Sequence, residues 1–153
     1  MGIFLIIVSF FLEGVFNNLF SNSLLMPLFS ILSLAIIYPY FKDKSFLLIG
    51  SLLGFIYDIM NTNFYILNPF IFTLISFFIK YYFSKFEYKF ISFTILEILI
   101  IFIYQFLLLI MFHITRYNIL SLNEFIFILN HFYIINIFYI IFAYLVNKKV
   151  LKQ

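Results

Sequence analysis

The chain has 153 residues, of which 66% are hydrophobic and only 10% are charged, and its mean hydropathy is +1.18. Soluble domains are roughly half apolar, so this composition excludes an ordinary soluble domain and predicts an integral membrane protein. The net charge is +3, and the absence of cysteine together with only two histidines excludes disulfides and makes a metal site unexpected.

Six apolar runs separated by short polar breaks predict six transmembrane helices. A bilayer core needs about 20 residues for each helical crossing, so a chain of this length has room for six crossings and no additional soluble domain. The predicted helices lie near residues 3–20, 24–41, 46–60, 66–83, 90–112 and 125–146. We therefore expect a single all-α transmembrane domain that spans residues 1–153.

The basic residues predict the orientation of these helices. Cytoplasmic loops of membrane proteins accumulate Lys and Arg, and six crossings would place eight of the nine basic residues on one side. These are Lys42, Lys44, Lys80, Lys85, Lys89, Lys148, Lys149 and Lys152, whereas Arg116 alone falls on the other side. The pattern predicts that both termini are cytoplasmic. It also favours attraction of the lysines to anionic lipid over nucleic-acid binding.

Three acids fall inside predicted crossings, where an ionisable group is costly and therefore a candidate for function. Glu13 and Asp58 are expected in the outer half of the bilayer, and Glu97 lies nearer the inner end of its helix. His131, with Asn130 beside it, is expected at a depth similar to that of the first two acids. Lys80 lies near the inner end of its predicted crossing, and no other Lys or Arg lies within a crossing to neutralise the acids.

Two polar side chains lie on the same helix faces as these acids. Asn17 follows Glu13 by one turn, and Gln105 follows Glu97 by two turns, so both are candidate hydrogen-bond partners. Hydrogen bonding between helices is the plainest role for the intramembrane polar groups. A contact with a partner protein and a proton or ion relay are the alternatives.

The stretch "GSLLGFIYDIMNTN" places Gly50, Gly54 and Asp58 four residues apart, along one face of the predicted third helix. Small residues at this spacing let two helix backbones approach closely. We expect a packing seam with a polar end, formed against another helix of this chain or against a partner. The spacing does not identify the neighbouring helix.

Motifs for catalysis are missing from the sequence. It has no glycine-rich phosphate loop, no HExxH, no GxSxG and no paired acid motif. We therefore expect no enzymatic activity and no cofactor.

The segments "LEGVF", "MPLFSIL" and "GSLLGFIYDIMNTN" in the first three predicted helices resemble the MreD family of rod shape-determining membrane proteins. Gly50, Gly54 and Asp58 match the glycine and aspartate positions of that family. The chain departs from it after the aspartate, where "NTNFYILNP" stands in place of further glycines.

This resemblance implies a scaffold subunit of the bacterial elongation machinery in the inner membrane. Such a subunit would bind MreC and connect MreB to RodA and a class B penicillin-binding protein. It also implies a fold similar to the substrate-binding subunits of energy-coupling-factor vitamin transporters. A small-molecule transporter subunit is therefore the alternative function, and a lipid or peptidoglycan-precursor flippase ranks last.

Overall fold

The computed structural model describes residues 2–19, 27–61, 67–115 and 136–145. Within these ranges the chain is helical and contains no strand, as expected from the sequence. The helices are α1 (Gly2–Leu19), α2 (Phe29–Ile37), α3 (Asp43–Asn61), α4 (Leu67–Lys85), α5 (Phe90–Thr115) and α6 (Asn136–Leu145). A short 3-10 turn, Tyr38–Tyr40, follows α2 and contains Pro39.

Helix α2 differs most from its predicted range of 24–41. Its nine residues are all buried, and it contacts α1, α3, α4 and α5. At 1.5 Å of rise per residue the helix is only about 14 Å long, less than half of a bilayer core. A helix that is apolar on every side is typical of a buried position, so α2 is the central helix of the bundle.

The other boundaries lie closer to their predicted positions. Helix α3 begins at Asp43, three residues before the predicted start, and its acidic first residue is favourable at the positive end of the helix dipole. Helix α5 continues to Thr115, beyond the predicted residue 112. Of the predicted segment 125–146, the structure describes only the part from residue 136 onward.

The described bundle has polar groups inside and large apolar groups outside. Its buried polar residues are Ser9, Glu13, Ser30, Ser33, Asp58, Asn68, Ser76, Glu97, Gln105 and Asn136. Its exposed residues include Phe11, Leu52, Phe77, Ile91 and Phe138, each more than half exposed. Exposing large apolar side chains to water is unfavourable, whereas exposing them to lipid is not. Polar side chains in a membrane protein are likewise favoured in the interior of the helix bundle.

Length and composition alone identify one of the described helices, over Phe90–Met111, as sufficient to cross a membrane. Shorter apolar helices cover Ile3–Leu19, Phe29–Tyr40 and Asn136–Leu145.

The lysine-bearing ends of the helices meet on one face. Lys80 near the end of α4 forms an ion pair with Asp43 at the start of α3, at 3.0 Å. Tyr38, directly after α2, stacks on Phe83 of α4 at 5.3 Å between ring centroids. Tyr144 near the end of α6 packs on Phe93 at the start of α5. The helices therefore alternate in direction from α2 to α5, and the end of α6 lies with the start of α5.

Candidate functional site: a buried polar network

The start of α2 is buried, and side chains from two other helices bind its backbone. The Ser30 N–H donates to Glu13 Oε2 of α1 at 2.7 Å, and the Leu28 N–H donates to Asn136 Oδ1 of α6 at 2.9 Å. The first amides of a helix have no partner within the helix, and leaving them bare in an apolar interior is costly. Glu13 and Asn136 therefore stabilise a helix start that water does not reach.

The start of α4 is bound in the same way by α3. The Asn68 backbone N–H donates to Asp58 Oδ2 at 3.0 Å, and the Asn68 side-chain amide donates to Asp58 Oδ1 at 2.6 Å. The Tyr104 hydroxyl of α5 donates to Asn68 Oδ1 at 3.2 Å. Asp58, Asn68 and Tyr104 are all buried, so these hydrogen bonds join three helices inside the bundle.

The two acids share one geometric role. Each lies in the second half of one helix and accepts hydrogen bonds from the first turn of the next helix along the chain. The partial positive charge of a helix N-terminus favours a carboxylate at this position, in addition to the hydrogen bonds themselves. Glu13 and Asp58 thus fix how α1 and α2, and α3 and α4, are joined.

Tyr57 brings the two acidic sites into one network. Its buried hydroxyl lies close to both the Glu13 carboxyl group and the Tyr104 hydroxyl, while its ring packs against Phe72 at 5.5 Å. This buried polar network therefore consists of two hydrogen-bonded groups, Glu13 with Ser30 and Tyr104 with Asn68 and Asp58, and Tyr57 lies between them. Glu13 Oε1 has no hydrogen-bond partner among the described residues. The network touches α1, α3, α4 and α5 directly, and α2 through the Ser30 amide.

The glycine stripe of α3 lies against α4. A Cβ atom at Gly54 would overlap the Asn68 carbonyl group and would stand 2.7 Å from Pro69 Cα. A Cβ atom at Gly50 would overlap the Ser76 hydroxyl and approach the Phe72 carbonyl oxygen at 3.2 Å. The two backbones thus approach at a distance that only glycine allows, and the neighbouring helix belongs to this chain.

The expected partners within the same helix do not bind the acids. Asn17 is half-buried, but the described hydrogen bond of Glu13 goes to Ser30 instead. Glu97 and Gln105 are both buried, yet neither carboxyl oxygen of Glu97 has a hydrogen-bond partner among the described residues. The expectation for Glu13 overlooked the backbone amides of other helices, which can reach a buried acid more directly than a side chain on the same helix.

The remaining predicted site residues, Asn130 and His131, lie outside the described residues. Helix α6 contributes a different polar contact, because the hydroxyls of Tyr139 and Ser9 lie 2.6 Å apart. Tyr139 also stacks on Phe29 of α2 at 4.4 Å. Through Asn136 and Tyr139, α6 is therefore joined to both α1 and α2.

Sequence reasoning missed Ser30, Tyr57, Asn68, Tyr104 and Asn136 as members of the network. One local signal existed, because Asn68 precedes Pro69 in "LNPF", a pattern that favours turns and helix starts. The tyrosines carried no such signal in a chain with 12 of them.

The described polar groups are arranged for binding one another. Within the described ranges no group of three or more His, Asp or Glu side chains is placed to hold a metal ion. Glu13 and Asp58 accept hydrogen bonds from backbone or amide N–H groups, and within the described ranges no histidine is hydrogen-bonded to either acid. The chemistry that this arrangement supports is the joining of helices.

A helical membrane protein held together by interior hydrogen bonds between its helices is the class that these features define. Within that class, the model of the rod shape-determining protein MreD matches residues 1–149, so the chain belongs to the MreD family. The match confirms the resemblance found in the first three helices. It indicates a role in determining rod shape at the membrane. No curated protein and no solved structure matches the chain significantly.

Proposed function

We propose that the protein is a non-enzymatic scaffold subunit of the bacterial elongation machinery in the inner membrane. It binds MreC and, through MreC, connects MreB filaments to RodA and a class B penicillin-binding protein. It crosses the membrane six times, and both of its termini are cytoplasmic. Family membership gives the cellular process, and the placement of polar and apolar groups supports the scaffold role.

One observation carries this proposal: two of the three buried acids, Glu13 and Asp58, bind the starts of other helices, while the described exterior carries large apolar side chains. Glu13 and Asp58 are 1% and 0% exposed and bind the starts of α2 and α4. A substrate therefore has no access to these two acids. The exposed surfaces of α1, α3, α4, α5 and α6 carry large aliphatic and aromatic side chains, which suit lateral contacts with the helices of other membrane proteins.

The transporter alternative predicts a polar cavity that opens outward near Glu13, Asp58 and His131, of which His131 lies outside the described residues. Both carboxylates are buried and bind the helix starts of α2 and α4, and the buried Tyr57 lies close to Glu13 and Tyr104. The groove nearest to Glu13 is lined by Leu12, Phe16, Phe29, Phe138, Tyr139 and Phe142 and is almost wholly apolar. The described residues thus favour the scaffold over a vitamin-binding subunit.

The proposed orientation agrees with the positions of the charges. Lys42, Lys44, Lys80, Lys85 and Lys89 all lie at the end of the bundle where α2 and α4 finish. Tyr38, Tyr81, Tyr82 and Tyr88 lie at the same end, where amphipathic rings are favoured at a membrane surface. Positive charge and tyrosine together support a cytoplasmic position for this face.

Co-purification with MreC tests the scaffold role directly. In separate variants, the exposed large residues of one helix face would be replaced by alanine, for example Ile3, Ile7 and Phe11 of α1 or Phe70, Leu74 and Phe77 of α4. We expect one face to be required for MreC recovery while the abundance of the protein is unchanged. The other faces serve as matched controls.

Failure of the unmodified protein to recover MreC would contradict the proposal. Depletion of the protein provides an independent measurement, since a scaffold of elongation should be needed for rod shape and its loss should round the cells. Saturable vitamin binding by the purified protein, with rod shape intact on depletion, would instead support a transporter subunit.

A further inference from the structure

A groove with one polar end and one apolar wall lies between the end of α4 and the start of α5. It encloses about 450 Å³ and is lined by Tyr82, Lys85, Phe86, Glu87, Lys89, Ile91, Ser92 and Ile95. All of these residues lie outside the buried polar network. The family match gives no role to the groove.

The polar end carries two lysines and two hydroxyls. Lys85 and Lys89 are exposed, and the Ser92 hydroxyl lies 3.4 Å from the Tyr82 hydroxyl. The Tyr82 hydroxyl in turn donates to the Ser92 carbonyl oxygen at 3.2 Å. Both hydroxyl protons are thus used within the chain, and the two ammonium groups are the donors suited to a phosphate group, which offers several acceptor oxygens and a negative charge.

The contacts that the lysines make within the chain are weak enough to be exchanged. Lys89 pairs with Glu87 at 2.6 Å, but their side chains are 76% and 77% exposed, and exposed ion pairs add little stability. The hydrogen bond from Lys89 lowers the pKa of Glu87, so the carboxylate is charged at neutral pH and competes for Lys89. Lys85 lies over the Tyr81 ring, 4.5 Å from its centroid, and donates one hydrogen bond to the Tyr81 hydroxyl, so two of its three N–H groups remain for an anion.

The apolar wall runs from the polar end toward the middle of α5. Ile91 is 73% exposed and Ile95 is 47% exposed, one turn apart on the outer face of the helix. Phe86, at the rim, is also about half exposed. A hydrocarbon chain lying along this wall would begin directly below the two lysines.

We propose that this groove binds an anionic phospholipid, with the phosphodiester between Lys85 and Lys89 and one acyl chain along Ile91 and Ile95. The proposal rests on the cytoplasmic position of the lysine-bearing face given above, but not on the contact with MreC. A soluble phosphate would meet the two lysines but leave Ile91 and Ile95 uncovered. The combination of charge and apolar wall favours a lipid.

Native mass spectrometry of the purified protein tests the site. The protein would be supplied with dioleoylphosphatidylglycerol and dioleoylphosphatidylcholine at equal concentrations, and the ratio of the two bound lipids measured. The double variant Lys85→Gln/Lys89→Gln should lower the preference for phosphatidylglycerol by about 30-fold, since each lysine near an anionic surface contributes roughly fivefold. The matched control is Lys42→Gln/Lys44→Gln, which removes the same charge from the same face outside the groove.

Two outcomes would overturn the proposal. An equal loss of preference in both double variants would mean that only the charge of the face matters, and no preference in the unmodified protein would mean that there is no site. Neither outcome bears on MreC recovery, so a failure here is distinguishable from a failure of the scaffold role.

Two further variants examine the parts of the groove separately. Glu87→Gln removes the competing carboxylate and should strengthen phosphatidylglycerol retention, a gain that misfolding would not produce. Ile95→Ala should weaken retention, whereas Ile98→Ala, which lies outside the groove and is 39% exposed, should not. Weaker retention in Glu87→Gln, or equal effects of the two isoleucine variants, would contradict the assigned positions of headgroup and chain.

Discussion

Both carboxylate oxygens of Asp58 accept hydrogen bonds from a single residue, Asn68, which offers its backbone N–H and its side-chain amide. Asn68 lies in the first turn of α4, so the pair joins the last part of α3 to the start of the following helix. The contact lies directly beside the place where Gly54 meets Pro69. One end of the α3–α4 interface is therefore fixed by hydrogen bonds and by close backbone packing together.

Two substitutions of Asp58 should distinguish the stability contributed by its hydrogen bonds from that contributed by the packing of its side chain. Asp58→Leu leaves two buried donors of Asn68 without an acceptor, and each such group costs about 1–3 kcal/mol. Asp58→Asn keeps one acceptor oxygen, so its melting temperature should lie between those of the Leu variant and the unmodified protein. Thermal unfolding in detergent measures the melting temperatures of the three proteins. Equal melting temperatures for the two variants would show that these hydrogen bonds contribute nothing.

The two glycines of α3 should differ in their tolerance of a methyl group. At Gly54 the added Cβ would overlap the backbone of α4, which cannot move without shifting the helix, and overpacking of this kind costs about 1–3 kcal/mol. At Gly50 the nearest obstacle is the Ser76 side chain. We therefore expect Gly54→Ala to lower the melting temperature more than Gly50→Ala.

A rescue variant and a control complete this comparison. Ser76→Gly removes the hydroxyl that meets the new Cβ, so it should restore stability to Gly50→Ala and not to Gly54→Ala. Gly14→Ala serves as the control, because no atom lies within 4 Å of its added Cβ. If all three alanine variants melted alike, the close approach of α3 and α4 would not be limiting stability.

Glu13 and Glu97 should respond in opposite directions to the same substitution. Glu13→Leu removes the acceptor of the Ser30 amide and should destabilise the protein by about 1–3 kcal/mol, whereas Glu13→Gln keeps an acceptor oxygen. Glu97 is fully buried without a hydrogen-bond partner among the described residues, so Glu97→Leu should leave stability unchanged or raise it. Melting temperatures of the three variants provide the measurement.

A large loss of stability in Glu97→Leu would reveal a partner beyond the described part of the chain. A stable Glu97→Leu protein that fails to maintain rod shape would instead assign the acid a role other than folding.

The orientation of the protein can be tested with introduced thiols, because the chain has no cysteine of its own. Ser84→Cys, at the lysine-bearing end of α4, should react with a membrane-impermeant maleimide only after the cytoplasmic side is opened. Asn18→Cys, in the exposed last turn of α1, should react in intact spheroplasts. Labelling of both thiols from the same side would contradict the alternating arrangement of crossings.

Hydropathy predicted where the helices lie in the sequence better than it predicted whether each helix is surrounded by other helices or faces outward. Helices α1, α4 and α5 begin within a residue of their predicted starts, and α4 and α5 each follow a polar break in the sequence. The same hydropathy did not distinguish the helix predicted near 24–41 from the others, since an apolar run looks alike whether it faces lipid or protein. The enclosed position of α2 depends on the other helices around it, which a count of apolar residues does not contain.

The site was predictable in its residues but not in its pairings. A buried carboxylate is conspicuous in an apolar run, so Glu13, Asp58 and Glu97 stood out. Spacing within one helix suggested Asn17 and Gln105 as partners, whereas the described partners of Glu13 and Asp58 are amides near the starts of other helices. Those contacts depend on the tertiary packing of the helices. For the same reason, the sequence could not identify the helix that packs against Gly50 and Gly54.

The hydrogen bond between the Leu28 amide and Asn136 joins positions 108 residues apart. During translation α2 is synthesised early and α6 late. The Leu28 amide at the start of α2 therefore has no Asn136 acceptor until most of the chain has been made. Until then, the backbone at the start of α2 is bound by the side chain of Glu13 of α1 but not by that of Asn136. Closure of the bundle is therefore a late event in biogenesis, and shortening the chain before residue 136 should leave the newly inserted protein open to membrane proteases.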